Sequence, residues 1–472
     1  MKKRIAIVGG GISGLTAAYI LHRDYSGTCE FTLFEAASRL GGIIETVRSE
    51  GFVIECGPDS WVTEKPWAEE LARELGLAHE LISSNDHQRR TYIAREGALT
   101  PLPDAMHMMV PGDLNAVMAS PLFTDAAKRA YAAEPSRAAE LRESALLHRG
   151  IDADESVSAF VRRHFGDEVV ETVARPLLAG VFGGDIDKLS TRALLGPFVT
   201  MEARHGSLIA ALQQRSRQSK APVFTTLASG LGTLTDRIFE TLPAASVRLS
   251  TPVLALDQSA TGWTLETTTG REHFDRLLLA TPLDTTRQLV GSLPPAAAQQ
   301  AADLLPQNAT SGLVVALGYG AHTNPAPNIP EGFGFLLAAN PLTSHSLLAC
   351  TFFNQKFHHR APEGATLLRA FFASSAADEL SHYADIEIAG IARDQLTAFL
   401  GPIPKHANVT IVRRWPRSLP QYEVGHVARI AQSELCISDL HGLVVAGNAL
   451  RGVGLPDLVR DATQAAHALA RN

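Results

Sequence analysis

The sequence predicts an α/β protein whose first sheet is assembled from both ends of the chain, with a second sheet domain and a helical insertion between them. Three observations lead there. Residues 5–34 read as strand, glycine turn, helix and strand. Far downstream, Leu443-Val444-Val445-Ala446 reads as a strand, followed by Gly447 and a helix from about Leu455 to Ala470. The chain's 472 residues are too many for one hydrophobic core, so more than one domain is expected.

Composition bounds the rest. Apolar residues make up 45% and charged residues 19%, as in an ordinary globular protein. A net charge of −7 argues against nonspecific nucleic-acid binding, because phosphates would be repelled. Cys29, Cys56, Cys350 and Cys436 form no CxxC pair, so they suggest neither zinc nor a redox dithiol, and they read as buried small hydrophobes. His358-His359 resembles a metal pair, but adjacent side chains on a strand point opposite ways, so a surface turn is expected and no metal. Met1-Lys2-Lys3-Arg4 precedes an apolar run that meets Gly9 after four residues, too soon for a signal peptide. No run of eighteen apolar residues suggests a membrane span.

In chain order, Ile5–Val8 reads as a buried strand, Leu15–Arg23 as a helix and Glu30–Phe34 as the next strand. Residues 66–82 carry the apolar spacing of an amphipathic helix, and Tyr92–Leu102 reads as a hairpin. From Asp104 to Arg149, and again over Glu155–Phe165 and Gly166–Leu178, the pattern is helical. Strands are expected at Val247–Leu256, Gly262–Thr268, Phe274–Ala280, Gly312–Gly318, Phe333–Leu337 and Leu347–Phe353, and a helix at Ile386–Leu400. No internal repeat or low-complexity tract interrupts the chain.

The first turn carries chemistry. Gly9-Gly10-Gly11-Ile12-Ser13-Gly14 has the spacing GxGxxG between a strand and a helix. Gly9 permits the sharp turn, Gly11 lets the backbone approach a pyrophosphate, and Gly14 permits close packing of helix on strand. The helix N-terminus then offers free N–H groups to the phosphates. Glu35 lies 21 residues past Gly14, at the end of the second strand, where a carboxylate can bond the ribose hydroxyls. This is a Rossmann-type site, and by itself it does not separate NAD from FAD.

The continuation does. Glu35-Ala36-Ala37-Ser38-Arg39-Leu40-Gly41-Gly42-Ile43 adds a second glycine turn with an arginine. It resembles the FAD pattern of the amine oxidase and glutathione-reductase-2 superfamily, in which the arginine and glycines lie on the pyrophosphate side. Thr251-Pro252-Val253 resembles the segment whose valine backbone holds the adenine, and Ala280-Thr281-Pro282 closes a third strand. Val445–Asn448 and Gly452-Val453-Gly454-Leu455-Pro456 resemble the C-terminal flavin segment, where a helix N-terminus favours the anionic reduced ring. The resemblance places Gly447, Val453, Gly454 and Leu455 on noncovalent FAD, since the nearest cysteine, Cys436, precedes the strand.

Within that superfamily, three segments resemble the porphyrinogen oxidases. They are Gly57-Pro58-Asp59-Ser60-Trp61, Arg175 to Asp185 with Ala179-Gly180-Val181-Phe182 at its centre, and Arg414-Trp415-Pro416 with Pro420-Gln421-Tyr422 and Gly425-His426. The similarity spans about residues 4–470. It implies a cytoplasmic haem-pathway oxidase acting on protoporphyrinogen IX, with coproporphyrinogen III as the alternative. The reaction removes six electrons in three FAD cycles, with oxygen as acceptor and hydrogen peroxide as product.

The same resemblance puts Gly57, Pro58, Asp59, Ser60 and Trp415 at the cofactor. It makes Gly180 the catalytic-motif glycine, whose carbonyl could orient pyrrole N–H groups; a helix C-cap explains that glycine equally. Arg90 is the candidate clamp for a substrate propionate, set against a solvated surface arginine. Phe333 and Phe335 could floor the substrate cavity, although strand alternation also explains them. Trp415 could sit on the flavin or fill the core, and Met106, Met108 and Met109 could line a pocket or pack a core.

The expected layout is an FAD domain from 1–83, 211–285 and 426–472, a helical insertion with part of the substrate domain over 84–210, and the rest of the substrate domain over 286–425. The insertion suits peripheral docking on the inner face of the cytoplasmic membrane and suits a buried bundle equally. Contact with ferrochelatase or a neighbouring haem-pathway enzyme, and a monomer or homodimer, complete the expectation. Rival readings are an oxidase of amines or polyenes and a noncatalytic flavin or porphyrin binder.

Overall fold

The computed structural model describes residues 2–147, 150, 153–214, 222–323, 327–338 and 346–471. Its first sheet is parallel. The strands run in the order Val247–Arg248, Cys29–Phe34, Lys3–Val8, Arg276–Leu279 and Leu443–Val445, so the two ends of the chain share one sheet. Helix Ile12–Tyr25 and the C-terminal helix Leu455–Arg471 pack together on one face, where Leu15, Ala18, Val459 and Ala466 enter a common core. The first helix starts three residues before the expected Leu15, because Gly11 (φ −71°, ψ 179°) is already its N-cap. The glycine-turn residues Ile12, Ser13 and Gly14 therefore form its first turn.

A three-stranded antiparallel sheet, Val253–Ser259, Gly262–Thr267 and Gly270–Phe274, covers the other face through Trp263, Leu265 and Phe274. The expected single strand Val247–Leu256 is thus two strands in two sheets. Ser250 at φ 51° turns the chain, and Pro252 has no N–H to continue a ladder. The helix expected over 66–82 is also shorter. It spans Trp67–Glu74 and gives way at Gly76 (φ 80°), after which Leu81–Ser83 is a strand paired with Phe224–Leu227.

The second large sheet has seven strands in the order Val409–Pro420, Ala309–Tyr319, Thr366–Phe372, Leu347–Phe352, Gly334–Leu337, Thr91–Arg95 and Ala98–Pro101. The last two are the expected hairpin. Helix Asp385–Leu400 covers one face, packing Ile388, Ala392 and Leu396 against Leu313, Val315 and Phe352. The opposite face turns toward the segment 45–60 of the dinucleotide domain. Thr366–Phe372 and Val409–Pro420 are strands that the sequence pattern does not announce.

The insertion opens with a two-stranded hairpin, Met106–His107 with Val110–Pro111, and continues as helices from Leu114 to Gln214. Residues 148 and 149 of the expected helical stretch lie outside the described residues. Its core joins Val157, Phe160, Phe165, Val173, Leu178 and Phe198, and Met109 is buried there with Met106 and Met108 packed against it. The three methionines are therefore core packing. At the centre of the bundle the His164 ring nitrogens lie 3.0 Å from Glu134 Oε1 and 3.0 Å from Glu202 Oε1, a buried polar network that fixes three helical segments.

Candidate active site

The first strand delivers the chain into a turn that only glycine fits. A Cβ on Gly9 would stand 2.3 Å from the Ala280 carbonyl oxygen, and one on Gly14 would stand 1.9 Å from that of Gly9. At Gly11, by contrast, a Cβ would meet no protein atom within 4 Å. Two of the glycines thus close the packing, and the third keeps a space open in front of the helix N-terminus. No side chain caps that terminus, so the first-turn N–H groups of Ile12, Ser13 and Gly14 remain for an anion.

The second glycine turn completes the cradle. Gly41 N–H donates to the Gly10 carbonyl (2.9 Å), and Gly42 stands against Gly11. Arg39 is tied down by the carbonyls of Gly42 (2.6 Å), Leu40 (3.0 Å) and Ile44 (3.2 Å). Glu35 accepts from Gly10 N–H (2.6 Å) and Ala37 N–H (2.7 Å), with Ala36 exposed between them. Thr251 N–H bonds the Glu35 carbonyl (2.8 Å), which sets Val253 beside this acid. Gly57 packs on Ile43, where a Cβ would lie 2.0 Å from the Ile43 carbonyl oxygen. A continuous backbone path therefore runs from Glu35 through Gly11, Gly41, Gly42 and Ile43 to Gly57, Pro58, Asp59 and Ser60. A dinucleotide with a long second half fits such a path.

The substrate sheet holds this path from behind. Trp415 Nε1–H donates to the Cys56 carbonyl (2.7 Å), and Arg39 lies 5.9 Å from the indole centroid. Trp415 is half-buried at this junction rather than in the core. Arg369 donates to the Gly57 carbonyl (2.6 Å) and to Asp59 (2.8 Å), and Lys356 donates to both Asp59 oxygens (2.9 and 3.1 Å). Burial alone would raise the Asp59 carboxyl, but Lys356 and Arg369 outweigh it and hold the group well below the usual carboxylate range. Burial lowers the Lys356 ammonium, against the pull of Asp59.

The C-terminal segment closes the far side. Gly447 and Gly452 have positive φ, Val453 is half-buried, Gly454 is exposed, and Leu455 opens the last helix. Asp457 in that helix accepts from Lys65 (2.5 Å), which joins it to the chain just past Ser60. Tyr422 O–H donates to the Asn448 carbonyl (2.5 Å), and His426 Nε2 bonds the Leu450 carbonyl (2.8 Å). The Tyr422 and His426 rings stack 3.9 Å apart, and burial lowers the His426 imidazole to about 4.

Gly180 is not the C-cap of its helix. It lies within helix Arg175–Phe182, and Gly183 at φ 67° is the cap, its N–H donating to the Ala179 carbonyl (2.8 Å). The helix follows a π-turn over Val170–Ala174, which accommodates Pro176, a residue with no N–H for the helical ladder. Gly180 is exposed, and a Cβ there would lie 3.3 Å from Leu336 Cδ2 on the substrate sheet. Three residues upstream of Leu336, roughly 10 Å along an extended chain, Phe333 N–H donates to the Arg90 carbonyl (2.8 Å). Arg90 is exposed and carries its charge beside Tyr92.

Phe335 does not face this space. Its side chain is 1% exposed and packs on Phe352 and Phe399, on the face covered by helix Asp385–Leu400. Leu336 instead presents the opposite face to Gly180, as alternation along a strand requires. His358 and His359 lie in an exposed turn. Among the described residues no group of three His, Cys, Asp or Glu side chains could hold a metal ion.

The sequence reading missed Lys356, Arg360 and Arg369. The signal for Arg369 was present, since a cation inside the apolar run Leu367-Leu368-Arg369-Ala370-Phe371 demands a buried partner. What it could not show was the partner, 310 residues away.

Comparison with known proteins places this geometry. The family model for flavin containing amine oxidoreductase matches residues 12–470. The chain belongs to that family. It is an FAD-dependent oxidoreductase. Among relatives of this family member, coproporphyrinogen III oxidase of Bacillus subtilis is 33% identical, over 97% of this chain and 96% of its own. Chloroplastic protoporphyrinogen oxidase of Nicotiana tabacum is 28% identical, over 98% and 84%. A solved structure from Exiguobacterium sp. 255-15, provisionally named a protoporphyrinogen oxidase, superposes with a TM-score of 0.83 at 32% identity, covering 100% of this chain and 99% of that one. Putrescine oxidase, at 17% identity and a TM-score of 0.69, shares the fold.

Proposed function

We propose that this flavoprotein oxidises a porphyrinogen to the corresponding porphyrin in haem biosynthesis. The observation that supports the reading is the convergence of Gly180 with the sheet strand that begins beside Arg90 and Phe333. When bound, FAD supplies the redox chemistry, accepting two electrons per cycle for a total of three cycles. The chain itself orients the substrate. The Gly180 carbonyl lies in the last helical turn, where intrahelical partners run out, and can accept from pyrrole N–H groups. Arg90 clamps a propionate, and the packed sheet face, with Phe333 buried like Phe335, excludes water.

Two porphyrinogens fit the reading. Arg90 favours protoporphyrinogen IX by resemblance, while relatives at 33% and 30% identity are named for coproporphyrinogen III. The test compares both substrates, in air and anaerobically, in wild type and Arg90→Ala. Growth of a Soret band above autoxidation, and bleaching of the flavin without oxygen, are expected. Arg90→Ala should raise KM at least fivefold for the preferred substrate with kcat little changed. A flavin that stays oxidised under excess of either porphyrinogen sinks the reading.

For assembly and place, the reading is a monomer or homodimer in the cytoplasm that hands its product to ferrochelatase or a neighbouring haem-pathway enzyme. Among the described residues no helix is long and apolar enough to cross a membrane. Exposed Met118, Leu146 and Leu147 on the helical insertion support peripheral docking, which sedimentation with anionic vesicles tests.

A further inference from the structure

The face of the substrate sheet that meets the dinucleotide domain carries more positive than negative charge. Lys356 and Arg369 share one carboxylate, Asp59. Arg360, fully buried, takes the other, Glu55, at 3.3 Å. Three cations thus face two carboxylates, and the next charge felt by Arg360 is a further cation, Arg48. The neutral partners leave the excess in place. Thr226 and the Leu227 carbonyl occupy Arg360, the Gly57 carbonyl occupies Arg369, and the Arg369 Nε–H has no hydrogen-bond partner among the described residues. Aromatic rings, Phe224 and Phe357 at Lys356 and Phe353 at both arginines, keep water from diluting the field.

An uncompensated buried cation is costly unless a negative charge arrives beside it. The cluster grips Gly57, Asp59 and Ser60, the stretch of cradle that lies beyond the phosphate turn. Two-electron reduction by a hydride equivalent adds one negative charge to a bound flavin, with the electron pair coming from the reductant. We propose that Lys356 supplies the balancing charge, so that the Lys356–Asp59–Arg369 cluster tunes the bound FAD toward its reduced, anionic form. The ammonium is held by Asp59 and Ser60 and has no other acceptor among the described residues, so its position is fixed before reduction begins. This inference rests on the flavin and is independent of which porphyrinogen, if any, is the substrate.

The experiment measures the midpoint potential of bound FAD by equilibration with a reference dye, anaerobically and without porphyrinogen. Lys356→Met removes the excess charge and should reduce the equilibrium constant for reduction at least tenfold, about 30 mV more negative for a two-electron couple. Asp59→Asn removes a carboxylate and should shift the potential the opposite way. Lys356→Arg, which keeps the charge, should stay within threefold of wild type. An FAD-loaded Lys356→Met with the wild-type potential overturns the proposal, as does a shift of the same sign in Lys356→Met and Asp59→Asn. If Lys356→Met does not retain FAD, Asp59→Asn decides, and a potential at or below the wild-type value overturns the proposal.

Discussion

At the scale of single residues, the glycines separate two roles that a fingerprint runs together. Gly14 is required by the protein itself, since a Cβ would collide with the Gly9 carbonyl, whereas a Cβ on Gly11 would meet no protein atom, so on the proposed reading only bound FAD requires that glycine. Gly11→Ala should therefore leave the apo-protein melting temperature within about 1 °C, because nothing in the fold is displaced, yet weaken FAD at least tenfold. Gly14→Ala should lower both, with a folding cost of about 1–3 kcal/mol. Thermal melts of the apo-proteins and fluorescence titration with FAD separate these outcomes, and equal destabilisation by both variants contradicts the assignment. The two glycine turns, Gly9 to Gly14 and Arg39 to Gly42, and the strand end at Glu35 were legible as backbone features because their geometry is local, set by φ angles and turn spacing. Phe335 and the cap role of Gly180 were misread for the opposite reason. Which face of a strand meets a cavity, and where a helix stops, depend on helix Asp385–Leu400 and on Gly183.

At the scale of elements, the missed strands share a cause. Val409–Pro420 carries Arg413, Arg414, Arg417 and Pro416, signals that argue against a strand, and it survives because it lies at the sheet edge with one partner. Its charges are spent across the interface, Arg413 on Glu45 (2.7 Å) and Arg417 on Asp284 (2.5 Å). The short link from this strand to helix His426–Ser438 makes its own prediction. His426 is buried, bonds the Leu450 carbonyl and leaves Nδ1 without a partner among the described residues, so no acceptor there favours the charged imidazolium. Its folded value of about 4 lies below the ordinary 6.5, so the unfolded chain binds more protons between those values. Stability is full above pH 6.5 and falls as pH drops toward 4, by up to about 3 kcal/mol from this group. His426→Gln, which keeps a donor and loses the titration, should flatten the melting temperature between pH 4.5 and 6.5. It should also preserve FAD retention there. A wild-type slope in the variant would assign the acid sensitivity elsewhere.

At the scale of the whole molecule, one stretch of about sixteen residues joins the two sheets. Glu45, Glu55, Cys56, Gly57 and Asp59 are gripped by Arg413, Arg360, Trp415, Arg369 and Lys356, all contributed by the substrate sheet and its loops. None of this was visible in the sequence, because each contact spans some 300 residues or more and no periodicity encodes it. The arrangement makes the proposed FAD path part of the domain interface, so the two sheets should unfold together. Arg360 is the strongest test, since its guanidinium is completely buried and its loss leaves Glu55, also completely buried, with Thr46 and the Leu231 N–H as its hydrogen-bond partners among the described residues. Stripping one partner from a buried pair costs about 3–5 kcal/mol, far more than a surface ion pair. Arg360→Met should therefore lower the main calorimetric transition by several degrees and begin to split it, because the substrate sheet loses the most deeply buried of these five grips while the dinucleotide sheet retains its own core. The double variant Arg360→Met/Glu55→Met should recover much of the loss, since it removes the orphaned charge along with its partner. One unsplit transition in Arg360→Met at the wild-type temperature would show that the sheets are coupled elsewhere.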